Sequence, residues 1–173
     1  MGQSTLTAAA AGLLTRELRA MQRELEGYST ESQIWQVHPA LPNTGGTLAL
    51  HAAGNLLHFI GAVLGGSGYV RNRDAEFSRR DVPRAELIRE LDRAIEAVES
   101  ALAGVTESQL AEWYPLPVAN RRVRTGEFVL HLATHLAYHL GQVDFHRRIV
   151  TGDGKGVGAV SPIELPSAMP IDA

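Results

Sequence analysis

The sequence predicts an all-α fold, a four-helix bundle with long connections and one extra short helix. Four segments repeat apolar residues at intervals of three and four, which is the spacing of one helix face. Proline and glycine separate these segments. No segment has the pattern of a convincing β-strand, so strands do not alternate with the helices. A chain of 173 residues is long enough for one well-buried core and short for two domains.

The first helix is expected over residues 7–25, where charged residues stand between the apolar positions. It ends near Gly27, and the following connection contains Pro39 and Pro42 with room for one short helical turn. The second helix is expected over residues 47–64, after a cap at position 43 or 44. It is apolar nearly all round, so we expect it to be central and buried.

The second half of the chain supplies the other two long helices. A long polar connection over residues 65–83 precedes the third helix, which is expected over residues 84–102. Thr106 is the expected cap of a short extra helix. The last long helix is expected over residues 125–150, and the tail after it is rich in glycine and proline.

Composition limits the function classes. We expect one bundle domain over residues 1–150 and a tail over residues 151–173 that lies over the bundle or is disordered. The net charge of −3 argues against a general nucleic-acid partner, and no apolar run or basic leader indicates a membrane or export, so we expect a cytoplasmic protein. The sequence has no cysteine, so nitrogen and oxygen must hold any metal, and any reacting thiol must be a separate small molecule.

The last helix carries three histidines, His131, His135 and His139, at four-residue spacing. They share one face, because each step of four residues turns the helix by only ~40°. Two imidazoles one turn apart can bind the same ion, but His131 and His139 lie ~12 Å apart along the axis. The residues alone therefore leave two candidate pairs, His131 with His135 or His135 with His139.

The second helix offers a third ligand from His51 or His58, and ligands from facing helices converge in the core of a bundle. Three nitrogens with one open position are typical of catalytic zinc sites, and imidazole also suits nickel or iron. If the two helices are antiparallel, an early residue faces a late one, which favours His139 over His131 as the partner of His51. His131 then has a hydrogen-bonding or surface role.

Other polar residues near these positions have two interpretations each. Asn55 and Gln142 lie about one turn from a candidate ligand and either orient an imidazole or a bound water, or make ordinary hydrogen bonds within the bundle. His38 and His146 lie outside the pattern, and we expect both to be solvated.

The polar connection contains Arg71, Arg73 and Asp74. Arg71 and Arg73 are candidate anion contacts at a pocket mouth, but a solvated loop held by one ion pair is slightly favoured. The sequence contains neither the H-E-x-x-H motif of zincins nor the paired E-x-x-H motif of di-iron bundles, so neither type of site fits.

Three stretches, HAAGNLLHFIGAVL, VRNRDAEF and LATHLAYHLGQV, resemble the DinB-like superfamily of metal-binding four-helix-bundle proteins. They match a bacterial branch with H-x-x-G-N-L, R-N-R-D-x-E-F and H-x-x-x-H-x-G-Q motifs, and the similarity extends over residues 14–148. The resemblance implies a divalent metal, zinc or nickel, held by His51, His135 and His139. His58 and His131 fall outside this ligand set, and His58 is expected to line the pocket.

Members of this superfamily include transferases and isomerases that use a low-molecular-weight thiol such as mycothiol or bacillithiol, and others are described as hydrolases. The resemblance therefore implies a metal-dependent enzyme of the thiol S-transferase, isomerase or hydrolase type with a small-molecule substrate. The sequence does not identify a general acid or base. The alternative is a non-enzymatic bundle in which the metal is structural or absent and the surface binds a partner.

A homodimer is the expected assembly, since cyclic dimers are the commonest symmetric oligomers. The polar connection and the tail both carry apolar side chains that a lone bundle does not fully cover. These are Val70, Phe77, Ile163 and Leu165.

Overall fold

The computed structural model describes residues 5–171, and this part of the chain is helical with no β-strand beyond isolated bridges. The four long helices are α1 (Thr5–Glu26), α3 (Gly45–Leu56), α5 (Arg84–Gly104) and α7 (Thr125–Thr151), and the short helices are α2 (Glu31–Ile34), α4 (Arg73–Ser78) and α6 (Glu107–Ala111). A π-helical segment, Leu57–Ala62, continues α3, and Pro162–Glu164 forms a 3₁₀ turn. The predicted all-α bundle of four long helices is confirmed.

Each of the four long helices packs against two neighbours. α1 and α3 each pack against both α5 and α7, while α1 and α3 have few contacts with each other. α1 and α5 each bury one stripe of apolar side chains. These side chains include Leu14, Leu18 and Leu25 on α1, and Leu87, Leu91 and Leu102 on α5. Every residue of α3 is buried, which confirms that the all-apolar helix is central. Within residues 5–171, no helix combines the length and apolar character needed to cross a membrane.

Two helix starts follow the predicted capping signals. The Thr44 side chain accepts a hydrogen bond from Thr47 N–H at the start of α3. Thr106 and Gln109 form a reciprocal capping box at the start of α6. The sequence predicts an α-helix over residues 47–64, but the helix changes to π geometry at residue 57, with backbone bonds such as Val63 N–H to the His58 carbonyl. Apolar spacing does not reveal this change, because the residues stay apolar on both sides of it.

The short helices differ in part from the prediction. α2 corresponds to the predicted short turn and α6 to the predicted extra helix. α4 lies in the connection for which the sequence predicts a loop. Asn72 caps it by accepting a hydrogen bond from Ala75 N–H, and α4 packs against α3. Six residues are too few for a periodic signal and for independent stability, so tertiary packing determines this helix.

His146 corrects the prediction of a solvated residue, since it is buried with 1% of its surface exposed. Its Nε2 lies 2.8 Å from the Gln36 carbonyl and its Nδ1 lies 2.7 Å from the Tyr28 hydroxyl. The ring therefore donates through Nε2 and accepts through Nδ1, and burial lowers the pKa of His146. Both partners come from the segment after α1, which local spacing does not place beside α7. His38 is half-buried and accepts a hydrogen bond from Ala40 N–H.

The described part of the tail lies over α1 and α7. Side chains of these helices donate hydrogen bonds to tail carbonyls, and they are Arg16, Arg23, Arg147 and Arg148. Arg147 is 1% exposed; it pairs with the buried carboxylate of Glu24 and lies 2.7 Å from the Lys155 carbonyl. One buried guanidinium thus joins α1, α7 and the tail.

Replacing Arg147 by Met should lower the free energy of unfolding by about 3–5 kcal/mol, because the Glu24 carboxylate remains buried without its partner. Arg148→Met is the matched control. The side chain of Arg148 is 36% exposed, so its loss should cost about 1 kcal/mol or less. Urea denaturation followed by circular dichroism measures both values, and equal losses would contradict the role assigned to Arg147.

Candidate metal centre

Three histidines from two helices meet in the bundle. One nitrogen from each of His51, His135 and His139 lies within 4.8 Å of the other two. The Nε2 atoms of His135 and His139 are 3.1 Å apart, and the ring of His51 lies 5.4 and 5.0 Å from those of His135 and His139. Of the two pairs that the sequence left open, the structure brings the second one to His51. His131 is exposed and its ring stacks on Phe128.

Glu76 fixes the orientation of His51. This carboxylate belongs to α4, is 6% exposed, and its Oε2 lies 2.9 Å from His51 Nδ1. Arg71 Nη2 is farther from the same nitrogen, at 3.4 Å, so the carboxylate contact determines the tautomer. An ionised carboxylate only accepts, so His51 Nδ1–H donates, and Nε2 is the nitrogen left to bind a ligand.

Arg71 holds Glu76 through two hydrogen bonds. Arg71 Nε lies 2.7 Å from Oε1 and Nη2 lies 2.8 Å from Oε2. Burial by itself raises the pKa of the Glu76 carboxyl, but hydrogen bonds from Arg71 and His51 outweigh it and lower that pKa below its usual value. The sequence favours a solvated loop held by one ion pair. The observed pair is instead partly buried and joins Arg71 to Glu76. Arg73 is exposed and lies over the Phe77 ring, 4.9 Å from its centroid.

Gly54 allows Glu76 to approach α3. A Cβ atom on Gly54 would lie 2.3 Å from Glu76 Oε1 and 2.9 Å from its Cδ, both closer than real contacts permit. Gly54 is three residues after His51, so it lies on the same side of α3. The H-x-x-G spacing therefore places a histidine and the space for its carboxylate partner side by side.

Gln142 orients His139 from within α7. Its Oε1 lies 2.7 Å from His139 Nδ1, so the imidazole donates there and its Nε2 faces His135. This hydrogen bond is one of the two roles that the sequence allows for Gln142. Burial, with the nearby His139 and His51 adding to it, lowers the pKa of His135 to about 4, and burial also lowers the pKa of His139. Both rings are neutral at neutral pH, which is the form that binds metals.

Asn55 and His58 do not join this cluster. Asn55 is buried, and its Oδ1 has no hydrogen-bond partner within residues 5–171, so the structure gives it no bond to an imidazole. His58 is half-buried, packs edge-on against Phe59, and has a buried Nδ1 without a partner in the same range. Burial lowers the pKa of His58.

Sequence reasoning missed Glu76 and Phe77. Glu76 is the acidic residue of the R-N-R-D-A-E-F motif that becomes buried, and the Phe77 ring lies 4.8 Å from that of His51. A signal was present, because the motif contains two carboxylates and a carboxylate is a common partner of a ligating imidazole. Within the motif, Arg71 and Glu76 form the ion pair, Asn72 caps α4, and Phe77 packs against His51.

A family model described as Mycothiol-S-transferase matches residues 9–152. The chain belongs to the mycothiol S-transferase family. This family is part of the DinB-like superfamily, which confirms the resemblance seen in the motifs. Family membership indicates a thiol S-transferase type of function with a small-molecule substrate. The comparisons with curated proteins and with solved structures found no match.

Substituting Gly54 by Ala should lower the free energy of unfolding by about 1–3 kcal/mol, because the new methyl group overlaps Glu76. Gly141→Ala is the matched control. Gly141 is also in a helix, but a Cβ atom added there would have no neighbour within 4 Å, so alanine should stabilise by about 0.5–1 kcal/mol. Urea denaturation should therefore show changes in the free energy of unfolding of opposite sign for the two variants. A stabilised Gly54→Ala variant would refute the close packing.

Proposed function

We propose that this chain is a metal-dependent thiol S-transferase that joins a low-molecular-weight thiol, mycothiol in the first place, to an electrophilic small molecule. His51, His135 and His139 are the proposed ligands of a divalent ion, zinc or nickel. The observation that carries the proposal is the convergence of three oriented imidazoles in a chain of the mycothiol S-transferase family.

The donor set fits a divalent transition metal. Two nitrogens that each lie 2.0–2.1 Å from a tetrahedral ion are ~3.3 Å apart. The Nε2 atoms of His135 and His139 are 3.1 Å apart, close to this value. Imidazole suits both zinc and nickel, so the ligand atoms alone favour neither.

Residues around the ligands support a catalytic site. Glu76 and Gln142 accept hydrogen bonds from the Nδ1 atoms of His51 and His139, which fixes both rings and increases their basicity. Arg71 keeps Glu76 ionised for this task. Three protein nitrogens leave one tetrahedral position for a substrate group.

The reacting sulfur belongs to the substrate, because the 173 residues contain no cysteine. A divalent ion held by the three histidines would favour the thiolate form of a thiol that coordinates it. The chain's own contribution is to hold three imidazoles together, to orient them, and to keep Phe77 packed beside His51 as an apolar wall.

Metal content tests the ligand assignment. His139→Ala should lose the bound ion, because two histidines remain and the pair one turn apart is broken. His131→Ala is the matched control, since His131 lies on the same helix face but outside the cluster; it should retain one ion per chain. Elemental analysis of tag-free protein, with circular dichroism to verify folding, gives both values. Metal retained in His139→Ala and lost in His131→Ala would mean that the other pair binds.

Activity tests the reaction type. Tag-free protein loaded with zinc or nickel should accelerate the conjugation of mycothiol to 1-chloro-2,4-dinitrobenzene, measured by the absorbance of the thioether. Chelation should return the rate to the uncatalysed value, and added metal should restore it. A loaded protein that accelerates no thiol conjugation, yet melts several degrees lower after chelation, would instead support a structural ion in a non-enzymatic bundle.

A further inference from the structure

An apolar groove of about 450 Å³ lies near His51 and His139, between α7 and the segment that leads into α3. Its walls include Leu41, Leu48, Tyr138 and Phe145, and none of the described residues that line it is charged. A volume of this size falls within the range of small-molecule sites.

The groove adjoins the proposed metal ligands through side chains that belong to both. Gln142 lines the groove and accepts the hydrogen bond from His139 Nδ1. Tyr138 lines it as well, with its ring 5.6 Å from that of His139. Leu48 precedes His51 by three residues on α3, about one helical turn. The groove therefore begins about one turn from two of the three histidines.

Two aromatic rings stand exposed along the groove. Tyr138 is 66% exposed and Phe145 is 64% exposed. They are seven residues apart on α7, so they project from the same face. Aromatic rings that stay in water at the edge of a concave apolar surface provide area that an apolar ligand can cover.

Gly141 lies between these two residues in the sequence and also lines the groove. It is in the interior of α7, where glycine is unfavourable relative to alanine. No packing requires it, since a Cβ there would have no neighbour within 4 Å. In contrast, Gly54 has no room for a methyl group. Gly141 lines the groove, and it also lines a second pocket between α7 and the tail.

We propose that this groove binds the apolar part of the electrophilic acceptor, so that the preferred acceptors are electrophiles with an alkyl or aryl group of several carbons. This inference rests on the proposed S-transferase function. A 1,2-epoxyalkane is a suitable acceptor class. The thiol sulfur forms a bond to the terminal epoxide carbon, the bond from that carbon to oxygen breaks, and the oxygen takes up the thiol proton. The product is a hydroxy thioether, and no oxidant or reductant is needed.

Transfer rates along a homologous series test the groove. With mycothiol as the thiol, kcat/KM should rise from 1,2-epoxypropane to 1,2-epoxyoctane by up to about fourfold for each added methylene that the groove covers. Gly141→Leu places a side chain in the groove and should reduce the ratio of the two kcat/KM values at least about tenfold. Gly104→Leu is the matched control, since Gly104 is an exposed helical glycine with an equally open Cβ position and does not line the groove; it should leave the ratio unchanged.

A binding measurement separates the groove from the reaction. Octane-1,2-diol, the unreactive hydrolysis product of the longest epoxide, is titrated into the protein without thiol and followed by saturation-transfer NMR. The wild-type protein and Gly104→Leu should bind octane-1,2-diol, and Gly141→Leu should bind it at least about tenfold more weakly. Propane-1,2-diol should not reach saturation of the protein in the same titration.

The two experiments distinguish a failure of the groove proposal from a failure of the S-transferase proposal. Transfer that is independent of chain length, with diol binding unaffected by Gly141→Leu, would overturn the groove proposal and leave the S-transferase function standing. Diol binding that Gly141→Leu abolishes, without transfer to any epoxide or to 1-chloro-2,4-dinitrobenzene, would overturn the S-transferase function and with it the acceptor role of the groove. A dimer that Gly141→Leu dissociates in light scattering would overturn the proposal in favour of an interface between two copies.

Discussion

The buried carboxylate of Glu76 is the contact on which the arrangement of the histidine cluster depends. A carboxylate in a protein interior is stable only when its charge is paired and its oxygens are hydrogen-bonded. Arg71 and His51 together meet both requirements, and Gly54 provides the space. The same contacts attach α4, which is too short to be stable alone, to the central helix α3. The histidine orientation and the local fold therefore depend on one charged group.

The charges around the cluster favour an anionic further ligand. The three proposed ligands are imidazoles, which carry no charge when they bind a metal, and the negative charge of Glu76 is balanced by the positive charge of Arg71. None of these side chains offsets the charge of a divalent cation bound by the histidines. A thiolate would do so, which supports a thiol as the substrate that completes the coordination. The apolar groove on the other side of Gln142 contributes no competing charge.

Two carboxylate–guanidinium pairs, one buried and one partly buried, join segments that are distant in the sequence or separated by a turn. Glu76 and Arg71 attach the connection after α3 to the helix that carries His51. Glu24 and Arg147 attach α1 to the end of α7, and Arg147 also binds the tail. Losing one partner of such a pair costs far more than the intact pair contributes. Each pair therefore specifies which segments meet, in addition to whatever it adds to stability.

The sequence by itself determined the four long helices and the common face of His135 and His139, because helical periodicity is a local property that spacing reveals. It also placed the capping residues, which act within one turn. The family resemblance implied His51 as the third member, and the tertiary structure brings it to this pair. Only the tertiary structure decided that Glu76 bonds to His51 and that His146 is buried against Tyr28. These contacts depend on how helices cross and on a short helix with no periodic signal of its own. Local spacing does not encode the distance between two elements, so packing of the whole core had to supply it.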